Sequence, residues 1–159
     1  MKHLWAPWRK PYVQAAKKEV DCLFCRVTKA NKDDTNLVVA RKERCFLMLN
    51  LYPYNNGHLM VAPYMHVSSL EALPKADRDE LFAAVASACA NIRKEMNPEG
   101  FNIGMNIGGI AGAGVADHIH VHIVPRWGGD TNFMPVVGGV KVISETLQDS
   151  YKRLKRYNY

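Results

Sequence analysis

The chain has 159 residues and a formal net charge of +6 at neutral pH. Its residues are 48% hydrophobic and 23% charged, a balance that is typical of a globular protein and excludes a disordered chain. This length predicts one domain over residues 1–159, large enough to bury a sizeable core.

The sequence and its net charge also indicate where the protein is located and which kinds of partner it binds. No apolar run approaches the roughly 18 residues that span a bilayer, and the start of the chain lacks the apolar segment of a secretion signal. We therefore expect a cytoplasmic protein that is not in a membrane, with reduced cysteines. The positive charge favours nucleotides as partners. Nucleic acid is not predicted, because the sequence has no basic segment interleaved with aromatic residues.

The chain begins with an expected N-terminal arm, residues 1–20, in which Trp5 and Trp8 flank a proline. Residues 30–36 are polar and predict a loop. Short apolar runs bounded by turn residues then predict strands. These strands are 37–41, 45–49, 58–63, 101–107 and 117–125.

Two helices complete the predicted elements. Apolar residues at three- and four-residue steps from Leu81 to Met96 predict one long helix over 77–96. A C-terminal helix is predicted over 144–156, within a tail of residues 140–159. Three strands, a helix and two strands, without βαβ alternation, indicate an α+β fold with a mostly antiparallel five-stranded sheet.

Three histidines recur at two-residue spacing in the last predicted strand: His118, His120 and His122. Alternate side chains of a strand share a face, so the imidazoles point one way and the apolar residues between them point the other. Packing alone would favour apolar residues here, and imidazole serves as nucleophile, proton carrier or metal ligand. This segment is the predicted active site, although spacing alone does not separate a nucleophile from a metal site.

A glycine-rich segment, residues 108–114, directly precedes the histidines. Glycine lets backbone N–H groups approach phosphate oxygens without a Cβ in the way. The segment matches neither a P-loop nor a dinucleotide fingerprint. A flexible connection is the alternative interpretation, but its position favours contact with phosphate.

Cys22 and Cys25 have the C-x-x-C spacing of half a zinc site. A redox role is disfavoured because the pair neither follows a strand nor opens an evident helix in a βαβ pattern. His66 and His118 are available as further ligands, and a Cys₂His₂ set leaves no open position, which indicates structural zinc. A metal-free cysteine pair is the alternative.

These motifs together resemble the histidine triad (HIT) superfamily, whose motif is His-x-His-x-His followed by two apolar residues. Residues 118–124 fit that motif throughout, and the similarity extends roughly from Cys22 to Trp127. The flanking segments 5–9, 125–127 and 129–135 are similar to the bacterial diadenosine tetraphosphate phosphorylase branch.

The resemblance implies catalytic roles for three histidines. His120 would attack the α-phosphate and form a covalent nucleotidyl-histidine. His122 would bind beside that phosphate and stabilise its charge. His58 would support the triad from a neighbouring strand.

The resemblance also implies nucleotide and metal ligands. Asn50 would bind ribose hydroxyls, Asn106 would lie near the phosphates, and Gly112 and Gly114 would belong to the phosphate-binding loop. His118 would be a ligand of structural Zn²⁺. Its partners would be Cys22, Cys25 and His66. The superfamily further implies a homodimer formed through the long helix and a strand.

One difference from the superfamily pattern bears on which acceptor completes the reaction. Many hydrolases of the superfamily have Gly-Gln-Ser/Thr-Val before the triad, whereas residues 112–117 here are Gly-Ala-Gly-Val-Ala-Asp, without the Gln or the hydroxyl side chain. Gly114 stands about where the Gln would be, which leaves room for inorganic phosphate as the acceptor. The leading prediction is therefore phosphorolysis of diadenosine tetraphosphate to ADP and ATP.

Three other functions stay open on the sequence. The first is hydrolysis of dinucleoside polyphosphates or nucleoside phosphoramidates. The second is a nucleotide-binding module without catalysis. The third is a zinc hydrolase that uses all three triad histidines.

Overall fold

The structure is a computed structural model that describes residues 22–30, 32–130 and 144–159. Within these ranges five strands form one antiparallel sheet in the order β1-β2-β3-β5-β4. The strands are β1 Val38–Arg41, β2 Cys45–Leu49, β3 Leu59–Pro63, β4 Gly100–Gly104 and β5 Val121–Arg126. The helices are α1 Leu23–Lys29, α2 Asp33–Asn36, α3 Lys75–Met96 and α4 Leu147–Leu154. The predicted α+β class is confirmed.

Some predicted features lie outside the described residues. These are the arm of residues 1–20 with Trp5 and Trp8, the segment 131–135, and residues 140–143 of the tail. Among the described helices, none is long and apolar enough to cross a bilayer.

The two faces of the sheet bury different sets of side chains. Leu47, Val61 and Ile123 point to one face and pack with α3 and α4 in the larger core. Phe46 and Met60 point to the other face, where they pack with α1 in a second apolar cluster. This alternation follows from the two-residue period of a strand, and it leaves the second face for the site.

The long helix begins two residues before its predicted start. The N–H of Arg78 bonds to the carbonyl of Pro74, so the first turn starts at Lys75. Leu81 and Ile92 of the predicted stripe are fully buried, and Asn97 ends the helix with a φ of 48°. This helix packs on β2, β3 and β5 and covers the face of the sheet that holds the larger core.

The predicted histidine strand 117–125 is wrong at its start. Its ladder begins only at Val121, because the N–H of Ile119 bonds to the carbonyl of Val67, which belongs to no strand. The alternation nevertheless persists, since Ile119 packs in the larger core together with Val121. His118 therefore lies in a bend and His120 directly before β5, and His122 lies within that strand.

Other boundaries also differ from the prediction, several of them by a single residue. The polar segment 30–36 contains the short helix α2, and the C-terminal helix is shorter than 144–156. The predicted strand 101–107 ends at Gly104, whose partner His122 is the second residue of β5, so the ladder runs out there.

Candidate active site and metal centre

The three triad histidines lie in three different environments on one face of the sheet. His118 faces two cysteines, His120 lies against Phe24, and His122 contacts His58. His118 and His120 are buried, and His122 is half-buried. The imidazoles are therefore not equivalent and do not converge on one point.

One ring nitrogen of His120 is held by the backbone. Its Nδ1 lies 2.9 Å from the carbonyl oxygen of His118, which only an N–H can satisfy. With Nδ1 donating, the lone pair of the neutral imidazole is on Nε2. Burial lowers the pKa of His120 below its ordinary value, and the hydrogen bond opposes part of that shift. The arrangement favours a neutral, nucleophilic ring.

A chain of hydrogen bonds sets the protonation of His122. The N–H of Tyr54 donates to Nδ1 of His58 at 3.1 Å, so the proton of the neutral His58 ring is on Nε2. That Nε2 lies 3.0 Å from Nδ1 of His122 and donates to it. The neutral His122 ring then carries its proton on Nε2, where it is available as a donor.

A cavity of about 520 Å³ opens on this face of the sheet. This volume is in the range of small-molecule sites. Apolar side chains from α1, β2 and β3, including Val27, Met48 and Met60, form one wall. The predicted nucleotide-binding residues and two of the triad histidines also line it: Asn50, Asn106, Gly112, Gly114, His120 and His122.

Local hydrogen bonds fix the polar residues of the cavity. The N–H of Tyr52 donates to the side-chain oxygen of Asn50, which orients that amide. The side-chain amide of Asn106 donates to the carbonyl of Gly112 at 3.4 Å, linking the end of β4 to the glycine loop. Gly112 has a φ of 89°, which favours glycine, so the loop turns back over the cavity here.

The predicted metal ligands form one cluster. One ligand atom from each of Cys22, Cys25, His66 and His118 lies within 4.8 Å of the others. The Sγ–Nδ1 distances are 3.3 Å for Cys22 and His118, and 3.2 Å for Cys25 and His66. Tetrahedral bonds of zinc to sulfur and nitrogen imply a separation of about 3.6 Å, so these residues fit a zinc ion.

Two further observations agree with a cation at this cluster. Burial and the neighbouring Cys22 thiol raise the pKa of Cys25, and a cation at the cluster would favour its thiolate. Nε2 of His118 donates to the carbonyl of Pro63 at 2.9 Å, which leaves the Nδ1 lone pair facing the sulfurs. Within the described part of the chain, His118 is the triad histidine that belongs to this cluster, whereas His120 and His122 line the cavity.

Known proteins are similar to this chain in sequence and in fold. The HIT domain family matches residues 31–129, more than half of the chain. This chain belongs to the HIT family. The HIT chain is also 43% identical over 162 residues to the AP-4-A phosphorylase of Mycobacterium tuberculosis, covering 97% of this chain and 83% of the relative. The predicted superfamily is confirmed, as is the prediction of an enzyme of this family.

Solved structures of histidine triad proteins share this fold. A Zn-bound histidine triad family protein from Mycobacterium smegmatis superposes with a TM-score of 0.69 at 25% identity, over 86% of this HIT chain and 91% of that one. A hypothetical histidine triad nucleotide-binding protein from Sulfolobus tokodaii has a TM-score of 0.67 at 28% identity, over 85% and 87% of the two chains.

The predicted site residues of this HIT protein fall into three groups. One group lines the cavity, four residues form the metal cluster, and His58 lies behind His122, fully buried. Cys22 is the N-cap residue of α1, so the C-x-x-C pair begins a short helix that was not predicted from the sequence. That helix is followed by α2 and an antiparallel strand, which is not the βαβ context of a redox motif.

Sequence reasoning missed two residues of the site. Phe24 lies between the two cysteines, and its ring centroid is 4.7 Å from that of His120. Tyr54 stacks on His58 with centroids 5.2 Å apart, besides donating its N–H. An aromatic residue inside the C-x-x-C pair and another four residues before His58 were the available signals.

We expect His58→Leu to lower kcat by about 10- to 100-fold. In this variant His122 loses both the donor that fixes its tautomer and its buried polar partner. His58→Gln is the matched variant, since its side-chain amide restores a donor near the position of Nε2. Steady-state kinetics of both variants test this. Equal, large losses for Leu and Gln would contradict a hydrogen-bonding role.

Proposed function

We propose that this protein transfers an adenylyl group from diadenosine tetraphosphate to inorganic phosphate through a covalent bond to His120. The observation that carries the proposal is a backbone-pinned, buried imidazole at the wall of a nucleotide-sized cavity. The 43% identity to a protein named AP-4-A phosphorylase supports the choice of substrate.

In the first step, Nε2 of His120 attacks the α-phosphorus of one adenosine. The N–P bond forms, the bond to the bridging oxygen breaks, and ATP leaves. Charge that develops on the phosphoryl oxygens is met by the Nε2–H of His122, by the amide of Asn106 and by backbone N–H groups of the glycine loop. Asn50 binds the ribose hydroxyls, and the apolar wall holds the base.

In the second step, an oxygen of inorganic phosphate attacks the same phosphorus. The N–P bond breaks, His120 returns to its neutral form, and ADP leaves. Gly114 lines the cavity and presents no side chain, where many hydrolases of the superfamily have a glutamine. The space this leaves favours phosphate over water as the acceptor.

We assign zinc to the cluster of Cys22, Cys25, His66 and His118 as a structural ion. Bound there, it would crosslink the start of α1 to the chain before β5. The four protein ligands fill a tetrahedral shell, so the cluster has no open position for substrate. Because the three triad histidines lie in different environments, the structure disfavours a zinc hydrolase that uses all three.

We also propose a cytoplasmic homodimer. Phe82 on α3 and Ile103 on β4 are 46% and 50% exposed, and large exposed apolar side chains are often interface residues. Phe82 lies on the long helix through which the superfamily is expected to pair, and we propose β4, which carries Ile103, as the strand of that interface. Sedimentation of the purified protein measures the dimer directly.

Product analysis tests the proposed reaction. The protein is incubated with diadenosine tetraphosphate in phosphate, or in chloride of equal ionic strength. We expect ADP and ATP in phosphate and no sustained turnover in chloride. AMP and ATP formed at the same rate in both buffers would establish a hydrolase instead, and nucleotide binding without products would indicate a binding module.

A further inference from the structure

Phe24 lies between the metal cluster and the candidate nucleophile, His120. It lies inside the C-x-x-C pair, with a ligand cysteine two residues before it and another directly after it. Its side chain is 1% exposed. Its ring centroid is 4.7 Å from that of His120 and 5.1 Å from that of His118.

The contact matters because a single hydrogen bond does not fix the plane of a ring. The bond from Nδ1 of His120 to the carbonyl of His118 sets one point of the imidazole, and rotation about that direction would still swing Nε2. Phe24 packs on the ring at an interplanar angle of 42°. His122 packs on it at 71°, with centroids 4.8 Å apart. Both neighbouring rings therefore contact the imidazole.

Two of the three contacts of the His120 ring, those with Phe24 and with the carbonyl of His118, come from chain segments that carry the metal ligands. Phe24 is fixed through Cys22 and Cys25, and the carbonyl acceptor is part of His118, which is itself in the cluster. Phe46 packs edge-on against Phe24, with ring centroids 6.2 Å apart, in the same apolar cluster.

We propose that Phe24 is a positioning residue, held by the C-x-x-C ligands, that fixes the imidazole plane of His120 for attack on phosphorus. The catalytic consequence rests on the proposed function, but the ring contact does not. A displacement of the attacking atom by about 1 Å costs on the order of 100-fold in rate, so a ring that merely rocks is enough to slow the reaction.

The rival account is that Phe24 only contacts the base, since it also lines the cavity. Phe24→Leu and Phe46→Leu separate the two. Both variants remove a ring from the same apolar cluster, but Phe46 has no ring contact with His120 among those of the described residues. Zinc content and the melting temperature are measured for each.

Three readouts then follow on the zinc-loaded proteins. Histidine-selective ¹⁵N spectra report the His120 ring without substrate, rapid-quench release of ATP in the absence of phosphate reports adenylylation, and AMP binding reports base contact. We expect Phe24→Leu to shift the His120 resonances and slow adenylylation about 10-fold or more at saturating substrate. AMP affinity should change by a smaller factor, and Phe46→Leu should leave the His120 resonances in place.

Unchanged His120 resonances in Phe24→Leu would overturn the proposal. So would a loss confined to AMP affinity, or equal adenylylation in the two leucine variants. If Phe24→Leu does not fold, Phe24→Met fills more of the volume without a ring and is measured in its place. Shifted His120 resonances in a protein that lacks turnover would keep the positioning role and reject the proposed function.

Discussion

Replacement of His120 with alanine is expected to lower kcat for diadenosine tetraphosphate by about 10⁴-fold or more, because the nucleophile and its covalent intermediate are lost together. The change removes a buried ring from the cavity wall, so binding of AMP should persist. Release of ATP measured by chromatography checks the rate, and calorimetry checks the affinity.

His122→Ala is the matched control, since it removes a neighbouring triad ring and leaves Nε2 of His120 in place. We expect a smaller loss, about 10²- to 10³-fold, because one donor to the developing charge is missing. Full turnover by His120→Ala would contradict the assignment of the nucleophile. Equal losses in both variants, with no adduct on either protein, would point to a mechanism without a covalent step.

Loss of a metal ligand is the second large effect that we expect. Cys22→Ala should lose most of its zinc after dialysis and melt about 5–10 °C lower, because the ion ties α1 to the chain before β5. Metal analysis by mass spectrometry and thermal melts measure both. Activity should fall as well, since His118 carries the carbonyl that holds His120.

Cys89→Ala is the control for the cysteine substitution. Cys89 is half-buried on α3 and outside the metal cluster, so this variant should retain stoichiometric zinc. His118→Ala should behave like Cys22→Ala in metal content. Stoichiometric zinc in both ligand variants would remove the proposed site.

Much of the fold could be predicted from local pattern. Strand β2 has its predicted bounds because a compact apolar run is flanked by charged and polar residues. The start of β5 could not be predicted, because the partner of Ile119 is Val67, in a loop about fifty residues earlier in the chain. Such pairings are set by tertiary packing, and alternation in a sequence shows only which side chains share a face.

Part of the candidate site could also be predicted from local sequence, and part of it depends on tertiary packing. His-x-His-x-His and C-x-x-C are local and could be recognised directly, and the resemblance supplied Asn50, Asn106 and His58. The separate environments of the three histidines depend on what packs opposite them: Cys22, Phe24 and His58. No spacing along the chain encodes that Phe24 from α1 lies on the ring of His120.

The covalent intermediate is the central claim, and it can be trapped. Zinc-loaded protein is mixed with diadenosine tetraphosphate in phosphate-free buffer, quenched in alkali, where a phosphorus–nitrogen bond survives, and digested for mass spectrometry. We predict one adenylyl group on the peptide that contains His120. On addition of phosphate before the quench, it should discharge as ADP faster than water releases AMP. ADP formation with no adduct at any time, or an adduct on another residue that discharges at the turnover rate, would contradict the account.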